Sequence, residues 1–113
     1  MPSFERGAVV SVPFPYTRGE TAQRRPALVV SDGAIANGLL LWVLMITSSE
    51  NRSWPGDVAL PVGDAHLGLD APSVVRTLKI ATIEADQARP VGRVSAAVLK
   101  QIDQRLSAHL GLA

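Results

Sequence analysis

The chain has 113 residues, of which 47% are hydrophobic, and its formal net charge is +1. This length suits one domain with its own core, so we expect a single domain over 1–113. The absence of cysteine excludes a disulfide framework, a thiolate metal site and a cysteine nucleophile. The chain has nine arginines against two lysines, and arginine matches phosphate geometry better than lysine. A GC-rich genome would give the same bias, so the positions of the arginines must decide.

Nothing in the sequence predicts a membrane segment. The longest apolar run, LLLWVLMI, has eight residues, whereas a membrane-spanning helix needs roughly 20. The first residues, MPSFERG, lack the basic start and the apolar stretch of a signal peptide. We therefore expect a cytoplasmic protein that does not bind membranes.

Short apolar runs separated by proline, glycine and polar residues predict five to seven β-strands. In chain order, the predicted strands are 8–14, 26–31, 39–46, 57–61, 73–78, 79–84 (after a kink) and 92–94. A polar hairpin loop, 16–23, joins the first two. The third is the most apolar, and Trp42 within it is expected in the core.

The hydrophobic period changes near the C-terminal end. Apolar residues from Val98 to Leu110 recur at spacings of three and four, which predicts one amphipathic helix of about four turns. Ser95 suits its N-cap and Gly111 its C-terminal stop. His109 falls on the apolar face, where a half-buried structural histidine is the ordinary interpretation. Short strands followed by one helix predict a mainly β fold, a small closed barrel with a packed helix.

Several kinds of catalytic site find no support. The two histidines, His66 and His109, are far apart, and the aspartates near His66 match no metal-ligand spacing. The glycines form no phosphate-binding loop, and no serine lies in a G-x-S-x-G context. We expect neither a metal nor a cofactor.

Polar side chains do gather where strands begin and end. Arg24 and Arg25 open the second predicted strand, and Thr47 and Ser48 follow the third. If these strands pair antiparallel, Arg25 and Thr47 lie at the same end of the barrel, where convergent donors favour an anion site. The competing interpretation pairs the two arginines with surface acids such as Glu20, for little energy.

Further candidates for binding an anion or a nucleic acid lie in the loop after the third predicted strand and in the fifth. Arg52 and Trp54 share a polar loop, and Arg76 interrupts the apolar segment SVVRTL. Bases of single-stranded nucleic acid stack on aromatic rings, so Trp54 is a candidate stacking platform. It could equally cap the end of the barrel.

Five segments in this order carry a family resemblance: VPFPYTRGETAQRRPALVVS, LMITSS, PGDVAL, GLDAPSVVRTLKIATIE, and VGRVS before a terminal helix. From about Gly7 to Leu110 the chain resembles the MazF/PemK family of toxin endoribonucleases from type II toxin–antitoxin systems. The resemblance implies an SH3-like barrel with a C-terminal helix. It also implies a homodimer that cleaves single-stranded RNA without a metal, and a cognate antitoxin whose segment occupies the RNA groove.

The resemblance assigns roles to particular residues. Arg25, directly before the proline of the second strand, is the expected catalytic arginine, and Thr47 is its partner. Glu20 matches a glutamate that some members use. The expected RNA-binding residues are Arg24, Ser48, Arg52, Trp54 and Arg76. Members that rely on the arginine at Arg76 have an acid two residues later, where this chain has Leu78.

Two other functions stay open. A CcdB-like inhibitor of DNA gyrase shares the fold, but such toxins act through a C-terminal tryptophan region, whereas this chain ends HLGLA. A catalytically silent RNA- or antitoxin-binding module would keep the barrel and lose the base, and Leu78 keeps that alternative open. Exposing single-stranded RNA to the protein in EDTA and mapping the ends separates these from a nuclease.

Overall fold

The computed structural model describes residues 4–13 and 23–112. Its strands are β1 (Ala8–Pro13), β2 (Arg24–Val29), β3 (Leu40–Ser48), β4 (Asp57–Ala59), β5 (Ser73–Glu84) and β6 (Arg89–Arg93). One α-helix, α1 (Ala96–Leu110), ends the fold, and short 3-10 helices at Ala65–Leu67 and Ala85–Gln87 flank β5. The predicted mainly β class with a C-terminal helix is confirmed.

The six strands form one antiparallel sheet in the order β4-β5-β3-β2-β1-β6. Within the described residues, no backbone ladder joins the edge strands β4 and β6. Instead the 3-10 turn Ala65–Leu67, which follows β4, packs against β6. A Cβ placed on Gly92 would lie 2.3 Å from the carbonyl oxygens of His66 and Leu67. The sheet curls and is closed by this turn, which is compatible with a small barrel.

Two apolar clusters lie on opposite faces of the sheet, because successive side chains of a strand point to opposite sides. The first contains Val9 and Leu28, which are cross-strand partners, and also Ile102 of α1. The second contains the next pair along, Val10 and Ala27. The helix therefore covers one face only.

A large β-bulge interrupts the pairing of β3 with β5. Leu44 pairs with Ile80 and Ile46 pairs with Val75, so the segment 76–79 of β5 lies opposite Met45 alone. Over this stretch β3 advances by two residues while β5 advances by five. The odd excess inverts the side-chain alternation of β5. The predicted kink between two strands is this bulge within one 12-residue strand.

The prediction that Trp42 lies in the core is wrong, since 48% of its surface is exposed. It shares a face with Leu44, its neighbour two residues on, which is fully buried. Ile80, which pairs with Leu44, is also half-exposed. The apolar cover that buries Leu44 ends before Trp42, and an apolar run does not reveal where such cover ends.

The helix begins and ends where the sequence predicts. The Ser95 hydroxyl accepts a hydrogen bond from the Val98 amide at 3.2 Å, and Gly111 has a left-handed φ of 70°. Arg6 ties the segment before β1 to α1, because it donates to the Val30 carbonyl at 3.1 Å and pairs with Asp103. In the described part of the chain, no helix has the length and apolarity needed to cross a membrane.

Candidate anion-binding site at the strand ends

Strands β2 and β3 bring the two predicted catalytic residues to one place in the sheet. Their antiparallel register pairs Ala27 with Met45. The pairing ends there, and its continuation by two residues would set Arg25 opposite Thr47, with both side chains on the same face. Among the described residues, the Arg25 guanidinium has one hydrogen-bond partner, the Gln23 side-chain oxygen at 3.2 Å. Most of its donors have no acceptor among the described residues.

The Thr47 hydroxyl is held by the loop that follows β3. Asn51 donates a hydrogen bond from Nδ2 to Thr47 Oγ1 at 2.6 Å. The hydroxyl oxygen acts as acceptor in this contact. The hydroxyl proton itself has no acceptor among the described residues. Thr47 is therefore fixed in orientation and still able to donate to an anion.

A pocket of about 210 Å³ lies beside Thr47, on the far side from Arg25. Its lining residues are Met45, Thr47, Asn51, Arg52, Arg76 and Lys79. Three of these carry positive charge, two more offer a hydroxyl or an amide, and none is acidic. The β5 bulge forms one wall, as bulges next to binding sites often do by redirecting side chains. This composition suits a phosphate or another anion.

Arg76 reaches this pocket from inside the fold, with 6% of its surface exposed. Its guanidinium lies 4.4 Å from the centre of the Trp54 ring and donates a hydrogen bond to the Arg52 carbonyl. Its Nε lies 4.0 Å from Asp57 Oδ1. Neither of those two atoms has a hydrogen-bond partner within the described residues. Arg76 thus holds the loop from below.

The loop from Ser49 to Gly56 carries the other predicted RNA-binding residues. Arg52 is exposed, and 38% of the surface of Trp54 is exposed above Arg76. Ser48, at the start of the loop, accepts a hydrogen bond from the Glu50 amide at 3.3 Å. Arg76 and Lys79 both lie against the Trp54 ring, with Lys79 Nζ 5.6 Å from its centre. Trp54 is therefore partly exposed and is not a buried cap.

Arg24 does not join Arg25 at this site. It points to the opposite face of β2, where it donates to Ser11 Oγ at 3.1 Å and to the carbonyls of Ser11 and Gln87, both at 2.6 Å. Burial, and next the neighbouring positive charge of Arg89, lower the pKa of Arg24. Its guanidinium ties β1 and β2 to the segment before β6.

Two polar residues of the pocket, Asn51 and Lys79, were not predicted from the sequence. Asn51 gave a weak signal, as an amide four residues beyond Thr47, whereas Lys79 looked like one cation in an apolar strand. Glu20, the predicted catalytic glutamate, lies outside the described residues. Within the part of the chain that the structure describes, no three histidine, aspartate or glutamate side chains come together as a metal site.

The fold and the cationic strand-end pocket together describe a small mainly β protein with a candidate anion site. Residues 5–110 match the family model for the PemK-like, MazF-like toxin of type II toxin–antitoxin systems. The chain is 34% identical over 114 residues to Endoribonuclease MazF9 of Mycobacterium tuberculosis, covering 95% of this chain and 96% of that one. This chain therefore belongs to the PemK/MazF toxin family, and the resemblance read from the sequence is confirmed.

Solved structures agree with this assignment. A MazE–MazF crystal structure from Deinococcus radiodurans superposes with a TM-score of 0.77 at 27% identity and covers 100% of both chains. An endoribonuclease in complex with its cognate antitoxin, from a mycobacterial species, gives a TM-score of 0.76 at 24% identity, over 100% of this chain and 98% of that one. The second likeness concerns the fold alone.

Proposed function

We propose that this chain, as a single domain over 1–113, is the toxin of a type II toxin–antitoxin system. It is an endoribonuclease, as family membership and the relative named Endoribonuclease MazF9 support. The proposed substrate is single-stranded RNA in the cytoplasm, and the proposed active form is a homodimer. RNA cleavage by the toxin inhibits translation and growth.

The observation that carries this proposal is the β2–β3 register, which would place Arg25 and Thr47 together next to a cationic pocket. In the proposed reaction the ribose 2′-oxygen bonds to the adjacent phosphorus, and the bond from phosphorus to the 5′-oxygen breaks. The products are a 2′,3′-cyclic phosphate and a 5′-hydroxyl. The pentavalent intermediate carries two negative charges, and donors fixed in advance stabilise charge as it develops. Arg25 clamps this charge, and Thr47 donates to a non-bridging oxygen.

Proton transfer needs two further groups. Glu20, from the loop predicted before β2, is the proposed base that removes the 2′-proton. The departing 5′-oxygen takes a proton from Arg25 or from water. Because a guanidinium group gives up its proton with great difficulty, Arg25 is a poor acid and its main role is electrostatic. Ser48, Arg52, Trp54 and Arg76 stay as proposed RNA-binding residues, of which Arg76 acts from beneath Trp54. Arg24 would contact RNA only on the opposite face of β2.

A cognate antitoxin is the second proposed partner. The solved relative from Deinococcus radiodurans is a MazE–MazF complex. For this chain we propose that an acidic antitoxin segment with apolar anchors orders on binding in the same groove. It would neutralise the cations of the pocket and compete with RNA.

Substitution of the two central donors tests the nuclease. In EDTA, Arg25→Ala should lower the cleavage rate of single-stranded RNA by about 10²–10³, as loss of one transition-state donor does. Thr47→Ala should lose somewhat less. Arg105→Ala, at an exposed arginine on α1, serves as the control and should cleave like the wild type. End mapping should find a 2′,3′-cyclic phosphate and a 5′-hydroxyl.

Other outcomes would overturn the assignment. Full activity of Arg25→Ala would remove this arginine from the mechanism. Intact RNA after incubation with wild-type protein, together with inhibited supercoiling by DNA gyrase, would favour the gyrase inhibitor. Binding of RNA without cleavage would favour the silent module.

A further inference from the structure

Thr77 is a buried hydroxyl in the bulge with two partners from distant parts of the chain. Only 2% of its surface is exposed. Its Oγ1 donates to the Gly56 carbonyl at 2.7 Å and lies 2.9 Å from Nε2 of His109, on the last turn of α1. Because the carbonyl takes the only hydroxyl proton, the histidine must donate through Nε2 to the same oxygen.

Gly56 fits this arrangement closely. Its φ is +83°, and a Cβ at this position would lie 2.8 Å from Thr77 Oγ1 and 3.3 Å from His109 Nε2. A side chain would therefore displace the histidine and the threonine together. Gly56 is also the last residue of the loop that carries Asn51, Arg52 and Trp54 to the pocket.

The loop is thus held from both sides of β5. Arg76 binds it on the pocket side, through the Arg52 carbonyl and the Trp54 ring. Thr77, the next residue, binds the end of the loop at Gly56, with His109 behind it. Because of the β5 bulge, the neighbouring side chains of Arg76 and Thr77 contact different parts of one loop. The C-terminal turn of α1 is thereby linked to a pocket that it does not line.

We propose that His109 is a positioning residue for the RNA-binding loop, acting through Thr77 and Gly56. It does not touch the reacting phosphate. It fixes the end of the loop, and through it the position of Trp54 and of the Asn51 amide that orients Thr47. The activity readout of this proposal rests on the proposed nuclease function, whereas the readout of loop position does not.

The first experiment follows the loop in protein without RNA. The chain has two tryptophans, so Trp42→Phe leaves Trp54 as the only indole emitter. In that background His109→Ala should increase acrylamide quenching of Trp54, because the ring leaves its stack on Arg76. His109→Gln, whose amide can donate to Thr77, should restore the wild-type quenching. Gln104→Ala, on an exposed position of α1, is the matched control and should change nothing.

The second experiment measures cleavage kinetics well below the melting temperature of each variant. His109→Ala should lower kcat/KM about fivefold, which corresponds to one hydrogen bond of ~1 kcal/mol. The change should fall mainly on KM, because Arg25 stays in place, and His109→Gln should rescue it. Adding His109→Ala to Thr77→Ala should produce no further loss, because both act through one contact.

The outcomes separate this proposal from the proposed function. Unchanged Trp54 quenching and unchanged KM in His109→Ala would overturn the positioning role. A lower melting temperature with no change in quenching would also overturn it, since His109 would then only stabilise the fold. If wild-type protein cleaves no RNA while His109→Ala still releases Trp54, the nuclease assignment fails and the loop contact stands.

Discussion

Arg76 and Asp57 place a pair of charges at cross-strand positions in a part of the fold that excludes most water. Their facing atoms are 4.0 Å apart and are not hydrogen-bonded to each other. The attraction within such a pair adds little stability beyond its desolvation cost. Removal of one partner, however, leaves the other charge buried without a counter-charge. Asp57 also accepts a hydrogen bond from the Trp54 amide at 2.9 Å.

We expect Arg76→Ala to lower the free energy of unfolding by about 3 kcal/mol, because it leaves the Asp57 carboxylate buried without a cation. Urea denaturation measures the loss. Arg93→Ala is the control, since Arg93 pairs with Glu5 at 3.6 Å on the surface and such pairs contribute less than about 1 kcal/mol. Asp57→Asn combined with Arg76→Ala should recover part of the stability. Equal effects of Arg76→Ala and Arg93→Ala would contradict a buried pair.

At the scale of elements, contact between β6 and the turn Ala65–Leu67 closes the sheet. Gly92 leaves no space for a side chain there, and Gly68 is equally close to β6, because its Cβ would lie 2.2 Å from the Val91 carbonyl. Two glycines thus allow the backbones of turn and strand to pack directly on each other. The closure depends on backbone shape more than on any side chain.

Gly92→Ala should therefore destabilise the fold by about 1–3 kcal/mol, as overpacking of a filled site does. The φ of Gly92 is not in the left-handed region, so the loss would come from crowding alone. Gly38→Ala provides the contrast, because Gly38 has a φ of +86° and open space around its Cα. Thermal unfolding of both variants separates crowding from backbone strain. An unchanged melting temperature of Gly92→Ala would show that the turn can move away freely.

The elements with a clear period were predictable from the sequence. The α1 bounds follow from Ser95, Gly111 and the apolar spacing between them, and the strands follow from short β-branched runs. Register was not predictable, because it depends on which residues of separate strands pair. Hence the size of the β5 bulge, the half-exposed Trp42 and the position of Arg24 on the opposite face of β2 were missed. Antiparallel pairing of two strands was enough to bring Arg25 and Thr47 together, but not to reveal the link from His109.

At the scale of the whole molecule, a net charge of +1 gives little general attraction to nucleic acid. RNA binding should therefore depend on the local cations of the pocket. If RNA binds in the proposed groove, its affinity should fall with salt as expected for contacts to a few phosphates. A weakly charged surface without such a groove would show a much shallower fall.

For single-stranded RNA, log K should fall with log salt by about 0.7 for each phosphate neutralised. With RNA made uncleavable by 2′-O-methylation, Arg52→Ala should reduce this slope by about 0.7, because Arg52 is an exposed cation of the pocket. Fluorescence anisotropy at several salt concentrations gives the slopes. Arg105→Ala should leave the slope unchanged. A flat salt response of the wild type would speak against RNA in this pocket.

The inverted alternation of β5 has a consequence for how this chain tolerates changes of length. Val75 belongs to the cluster that α1 covers, whereas Ala81 and Ile83 belong to the cluster on the other face. Deleting one residue from 76–79 would leave an excess of two, so regular alternation would keep both halves of β5 on their present faces. Such a deletion would therefore spare both apolar clusters, and its effect would fall on the stretch that positions Arg76 and Thr77.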